Sequence, residues 1–221
     1  MAVKNQNYNT IQHIFTAIGL LFCTLSFSTM SLAAGNIEAG KAKSSTCVTC
    51  HGPDGNSILQ TYPKIAGQHE NYLLKALTAY QALSTPDSDK ATNKSATAGI
   101  MNAQVAKLTQ QDLEDLAAYY SSQKTTVGEA TGQNFELGRK LYLGGDIERG
   151  IPACAACHSP TGNGNAQAAF PRLSGQQPEY IKAQLMAFKQ DERLNDMMQA
   201  LAKKLDDNDM AAVANYASGL H

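Results

Sequence analysis

Two runs in this chain of 221 residues, Cys47-Val48-Thr49-Cys50-His51 and Cys154-Ala155-Ala156-Cys157-His158, share the pattern C-x-x-C-H. That pattern is the attachment signature of a c-type haem. Two cysteines three apart can each add a thiol across one vinyl group of the same porphyrin, and the histidine after the second cysteine is then held under the iron. Neutral imidazole is a common axial ligand of haem iron. Two covalent haem c groups are therefore expected, one on Cys47 and Cys50 with His51, the other on Cys154 and Cys157 with His158. Zinc ribbons also pair C-x-x-C runs, but about 15–20 residues apart, whereas these runs are separated by 107 positions. A thioredoxin-like dithiol leaves both histidines unexplained. So do disulfides, which an oxidising compartment would permit.

The segments around the two runs also repeat. Asn36 to Lys41 matches Asn134 to Arg139, Tyr62 to Gln68 matches Phe170 to Gln176, and Leu108 to Gln123 matches Leu205 to Leu220, with Tyr119 falling on Tyr216. The order is the same in both halves, so one unit is written twice. The second unit carries nine extra residues before its haem run, around Gly144-Gly145-Asp146, and the first about eleven between Leu83 and Ile100. The latter stretch is polar and reads as a surface loop.

Both units read as helical. Tyr72, Leu73, Ala76, Leu77 and Tyr80 form one apolar stripe, matched by Tyr180, Ile181, Gln184, Leu185 and Phe188, with Pro178 suited to the first helical position. The closing helices start at Thr109, with Asp112 three on, and at Asp206, with Asp209 three on; both resemble N-caps. Leu113, Leu116, Ala117 and Tyr120 make the inward face of the first, and Met210, Val213, Ala214 and Ala217 that of the second. Ser121 to Gln133 is rich in Ser, Thr, Gly and Gln and suits a linker. The expected division is a signal peptide at 1–33, a first domain at 34–122, a linker at 123–133 and a second domain at 134–221. Units of about 90 residues have a marginal core of their own, which a buried haem would complete.

A formal net charge of −1 implies no nucleic-acid partner, and a hydrophobic content of 43% is ordinary for a soluble protein. Trp is absent, and Ala, Leu, Gln and Lys favour helix over strand. Lys4, the apolar run Ile14–Phe27 and the small residues of Ser31-Leu32-Ala33 read as a secretory signal cleaved after Ala33. The run is too short and too interrupted for a bilayer anchor, and Phe22 is too bulky for a lipoprotein site at Cys23. Cleavage leaves four of the five cysteines, all in the haem runs. Of the remaining histidines, His69 and His221 read as surface or helix-start residues without a role.

Each iron needs a ligand opposite its histidine, and methionine is the usual partner in electron-carrying sites, where a neutral thioether favours Fe(II). Met186 and Met210 lie at core spacing in helices. Met101 stands seven residues before Leu108, and Met198 seven before Leu205. The duplication therefore selects Met101 and Met198 as axial ligands, and Met198 over its neighbour Met197.

The leader, two haem units of this size, Y/F-P-x-[IL]-[AS]-G-Q after each haem run, and Asn195-Asp196-Met197-Met198 together resemble a c4-type dihaem cytochrome c over essentially the whole mature chain. The resemblance implies an all-α fold of two tandem class I cytochrome c domains related by a pseudo-twofold axis, with the haems near their interface. It implies a periplasmic electron shuttle from a quinol-oxidising cytochrome complex toward a terminal haem–copper oxidase. The expected form is a monomer, associated at most loosely with the membrane. It further implies that Pro63 and Pro171 offer their carbonyls to the rings of His51 and His158, and that Gly40 and Gly138 let the first helix of each unit touch the last, against Tyr119 and Tyr216. Some relatives show a marked charge difference between halves. Here residues 34–124 carry eight basic and eight acidic side chains, and residues 125–221 nine and eleven, so the strong charge dipole is missing. The rival readings are a dihaem peroxidase, which needs an iron whose sixth position opens, and a dihaem subunit accepting electrons from a dehydrogenase such as a flavocytochrome.

Overall fold

A computed structural model describes residues 35–82, 96–130, 132 and 134–221. The leader at 1–33 and most of the polar stretch after Leu83 lie outside the described residues. The described chain is helical: α1 (Ile37–Lys43), α2 (Val48–His51), α3 (Glu70–Gln81), α4 (Ala96–Val105) and α5 (Gln110–Ser122), then α6 (Phe135–Leu143), α7 (Ala155–His158), α8 (Pro178–Lys189), α9 (Asp196–Ala202) and α10 (Asp207–Ser218). Among the described residues there are no strands, only isolated bridges at Asp146–Ile151 and Asn165–Phe170.

Local chemistry sets the helix ends. Thr109 and Asp112 form a capping box at the start of α5, and Asp206 and Asp209 form its twin at α10. Each satisfies two backbone N–H groups that the first turn would otherwise leave bare. Both N3 carboxylates are also gripped from the opening part of their own unit. Lys43 Nζ lies 2.8 Å from Asp112, and Arg149 donates two bonds to Asp209, at 2.7 and 3.1 Å. Arg149 sits in the nine-residue insertion, which folds back on itself through paired Asp146–Ile151 backbone bonds of 2.8 Å.

Within each unit the first helix crosses the last: α1 packs on α5, and α6 on α10, while α3 and α8 lean on those same closing helices. The crossings depend on glycine. A Cβ on Gly40 would sit 2.0 Å from the Asp115 carbonyl oxygen, and one on Gly138 would sit 2.2 Å from that of Ala212, with Tyr119 and Tyr216 beside them. The inward faces of both closing helices are buried as their periodicity predicts, Leu113, Ala117, Met210 and Ala217 fully so.

The two units fill one equivalent space in opposite ways. In the first, a small Ser44 from the turn after α1 faces the large Tyr120 of α5; in the second, the large Tyr142 of α6 packs in a cluster with the small Ala217 of α10. Each ring lies beside the first cysteine of its own haem run, and burial pushes both phenols well above their ordinary pKa. Tyr142 donates to the Ser159 carbonyl at 2.8 Å, whereas the Tyr120 hydroxyl is buried beside Cys47 and Ser44.

Two expectations change. The polar stretch of the first unit does not run on to Ile100: Ala96 already begins α4, so Met101 is a helical residue. The linker is docked along part of its length. Ser121 and Ser122 close α5, and beyond them Thr126 N–H donates to Asn56 at 2.8 Å while Lys64 Nζ donates to the Thr126 carbonyl at 2.8 Å. Composition predicted a linker, but side chains from the first unit satisfy this segment's backbone.

Candidate haem-binding sites

Each C-x-x-C-H run is a single turn of helix, α2 or α7, which sets its two cysteines and its histidine around one corner of the unit. Gly52 ends the first turn at φ 81°. Ser159 takes the equivalent place at φ 66°, a region costly for residues with a Cβ, and its hydroxyl accepts from Asn163 N–H at 2.9 Å. All four cysteines are half-buried and none is in a disulfide, so each pair is available for two thioethers.

His51 and His158 are buried, at 6% and 8% exposure. Each Nδ1 lies 2.9 Å from a proline carbonyl, Pro63 for His51 and Pro171 for His158. A carbonyl only accepts, so the proton stands on Nδ1 and the Nε2 lone pair is left for a metal. Burial, outweighing the opposing bond to proline, holds both imidazoles below their ordinary pKa and so favours the neutral form that binds iron. The proline loops are pinned from inside the unit: Ile65 and Ala66 N–H donate to Gly55, and Leu173 and Ser174 N–H to Gly162. Tyr62 and Phe170, just before the prolines, stand 6.4 Å from the histidine rings.

Met101 lies half-buried in the middle of α4. Met198 lies in the first turn of α9, with its N–H on Asn195 Oδ1 at 3.1 Å, half-buried against the core of the second unit. Met197 is 57% exposed, although its sulfur comes within 4.0 Å of Cys157 Sγ. Each unit thus holds a dithiol, an imidazole with a free Nε2, and a half-buried thioether. That donor set fits haem c. Among the described residues no cluster of three or more His, Cys, Asp or Glu side chains could hold a bare metal ion.

Three features escaped the sequence reading. His69 has a partner: standing at the start of α3, where its side chain makes no capping bond, it places its Nε2 2.6 Å from the Asn163 carbonyl of the other unit. Arg193, over the Phe188 ring at 4.7 Å, donates to Gln184 of its own unit at 2.6 Å and, across the units, to the Tyr72 hydroxyl at 2.9 Å. Gln68 and Gln176 are the third. Gln176 accepts from Lys64 N–H at 2.8 Å and donates to Lys64 O at 2.7 Å, while Gln68 accepts from Arg172 N–H at 2.8 Å and donates to Arg172 O at 2.9 Å. The contact is reciprocal, as between copies related by a twofold axis. Its only sequence signal was the recurrence of glutamine at the end of both proline motifs.

A family model for Cytochrome c matches residues 37–124 and, a second time, 135–220. Cytochrome c4 of Azotobacter vinelandii is 44% identical over 209 residues, which is 93% of this chain and 99% of that one. The crystal structure of reduced recombinant cytochrome c4 from Pseudomonas stutzeri superposes with a TM-score of 0.80 at 44% identity, covering 85% of this chain and 100% of the other. A thiosulfate dehydrogenase electron acceptor from Thiomonas intermedia (strain K12) is 34% identical over 191 residues, 83% of this chain and 82% of its own length. With its helical fold and paired C-x-x-C-H sites, the chain belongs to the c4-type dihaem cytochromes c: an electron-transfer protein carrying two covalently bound haem c groups.

Proposed function

We propose that this protein is a periplasmic carrier of single electrons from a quinol-oxidising cytochrome complex to a terminal oxidase or similar acceptor, without substrate chemistry of its own. In this reading Met101 and Met198 are the axial ligands opposite His51 and His158, and the chain divides into a leader at 1–33, domains at 34–122 and 134–221, and a connecting 123–133. What supports it is the matched set of candidate ligands in the two halves. Each half pairs a buried, carbonyl-locked imidazole with a half-buried methionine seven residues ahead of its closing-helix leucine. A thioether opposite the histidine leaves no coordination position for peroxide or oxygen. The haem, when bound, supplies one-electron exchange. The protein's residues hold the ring neutral, exclude water and fix the ligand geometry, so that little has to move between oxidation states. Export rests on the leader; among the described residues no helix is long and apolar enough to cross a membrane.

Losing a thioether ligand removes the group that favours Fe(II). Met198→Ala should lower one of two redox waves by a large step and halve the far-red sulfur-to-iron charge-transfer band. Met101→Ala should do the same to the other wave, and Met197→Ala should leave both unchanged. Loss of the band in Met197→Ala with its retention in Met198→Ala would overturn the ligand assignment. A second reading, an electron-accepting partner of a dehydrogenase, is supported by the relative named thiosulfate dehydrogenase electron acceptor. Purification from the host separates the two: a lone protein reduced by quinol-oxidising membranes fits the first, co-purification with a dehydrogenase the second.

A further inference from the structure

Each of the reciprocal glutamines clasps one residue of the opposite half, Lys64 or Arg172, donating to its carbonyl and accepting from its N–H. The peptide unit joining Pro63 and Lys64 offers its carbonyl to His51 Nδ1 at 2.9 Å and its N–H to Gln176 Oε1 at 2.8 Å. The unit joining Pro171 and Arg172 offers its carbonyl to His158 at 2.9 Å and its N–H to Gln68 Oε1 at 2.8 Å. Each half therefore contains the chain imidazole N–H, peptide C=O, peptide N–H, carboxamide oxygen, and the last member belongs to the other half. A glutamine that only clasped its neighbour could take any backbone group on that face. Both accept from the peptide whose carbonyl holds the histidine.

We propose that Gln68 and Gln176 are cross-domain positioning residues, each setting the hydrogen-bond strength at the proximal histidine of the other half. Docking of the halves thereby tunes both haem potentials. A peptide N–H that donates to a strong acceptor polarises its own carbonyl, and chains of such bonds strengthen one another. A stronger acceptor on Nδ1–H makes the imidazole a more basic ligand, which favours Fe(III). The carboxamides are held for the task. Both are buried, at 6% and 8% exposure, and each Oε1 also accepts the next N–H of its own chain, His69 at 3.0 Å or Gln177 at 2.9 Å. The inference rests on His51 and His158 being the iron ligands and does not depend on the identity of the redox partners.

The test uses the full-length dihaem protein, reduced and labelled at histidine nitrogen, with NMR of the two Nδ1–H groups. Their haem ring-current positions report the ligand assignment separately from the relay. Gln176→Leu should weaken the His51 bond, moving its Nδ1–H upfield and speeding its exchange with solvent, while His158 stays put. The redox equilibrium followed on the His51 signals should move toward Fe(II) by about twofold, roughly 18 mV at 59 mV per decade. Gln68→Leu should do the same to His158 alone. Asn71→Ala, which removes the Asn71 Nδ2 to Ala166 carbonyl contact elsewhere between the halves, should move neither. Gln176→Glu strengthens the acceptor while giving up the donation to the Lys64 carbonyl, so His51 Nδ1–H should move downfield, which preserves the test if the leucine variant does not fold. The idea is overturned if Gln176→Leu moves His158 in place of His51, moves both alike or neither, or is reproduced by Asn71→Ala. A shift in the same direction for Leu and Glu would overturn it too.

Discussion

Gly40→Ala places two opposed effects at one position. Alanine in a helix is favoured over glycine by about 1 kcal/mol, so propensity alone predicts a gain. The new Cβ would stand 2.0 Å from the Asp115 carbonyl oxygen and 2.7 Å from Tyr119 Cβ, against an ordinary contact distance beginning at 3.4 Å. The obstacle is backbone in the interior of α5 and cannot swing aside. Helices α1 and α5 must part by about 1.4 Å, and a radial gap of about 1 Å already forfeits up to half of the dispersion well at each contact. The separation also stretches the Asn36 N–H bond to Asp115, now 2.8 Å. Overpacking of this kind reaches about 3 kcal/mol, and subtracting the propensity gain leaves a net loss of about 2 kcal/mol. In thermal unfolding of the dihaem protein, that is a fall in Tm of about 8–16 °C if the first half melts alone, and about half as much if both melt together. Gly99→Ala is the matched control. It lies in α4 with nothing within 4 Å of its would-be Cβ, and should gain about 0.5–1 kcal/mol. A Gly40→Ala protein as stable as Gly99→Ala would refute the reasoning, because it would show that the crossing has slack.

Two further outcomes follow from the contacts at the ends of the closing helices. Hydrogen bonds from Lys43 and then Thr109 hold the Asp112 carboxyl down to about 2, so its contribution to stability is complete above its unfolded value near 4 and is lost as pH falls through about 2. Asp112→Asn should therefore lower Tm at pH 5 and converge with the parent near pH 2; parallel curves across that range would count against this. In the linker, Thr126 is bonded to Asn56 and Lys64 while Val127, Gly128 and Glu129 are exposed. Limited digestion with elastase and with a glutamate-specific protease should thus cut within 123–133 at Val127 and Glu129 first, as read by fragment mass. First cuts between Gln123 and Thr126 would contradict the docking of that stretch.

What could be read from the residues alone was whatever local chemistry and repetition encode. The haem runs needed only their spacing, the capping boxes at Thr109 and Asp206 only their i, i+3 pattern, and the buried faces of α5 and α10 only helical periodicity. The start of α4 was missed because Ser95, the helix-start residue type directly before Ala96, is hidden in a polar run of Ser, Thr, Asp and Lys. Composition marked 123–133 as a linker but could not show its docking, because its backbone partners, Asn56 and Lys64, come from about 60–70 positions away. Gln68, Gln176, His69 and Arg193 were opaque for the same reason. Each acts on a group in the opposite half, and nothing in a polar residue announces a partner that only the assembled fold supplies.

The inverted filling of the space beside each first haem cysteine bears on how a duplicated chain recognises its own parts. With two near-copies in one polypeptide, the opening helix of one copy could wrongly associate with the closing helix of the other as the chain collapses. A hybrid of α1 with α10 would set Ser44 against Ala217 and leave a void the size of a tyrosine ring, where truncating an aromatic core residue to alanine costs about 3–5 kcal/mol. A hybrid of α6 with α5 would drive Tyr142 and Tyr120 into room meant for one. Only the native pairings join a large residue to a small one in both halves. Complementary volumes at one position thus discriminate self from sibling, and protect a tandem repeat from intramolecular strand-exchange of its own helices while it folds.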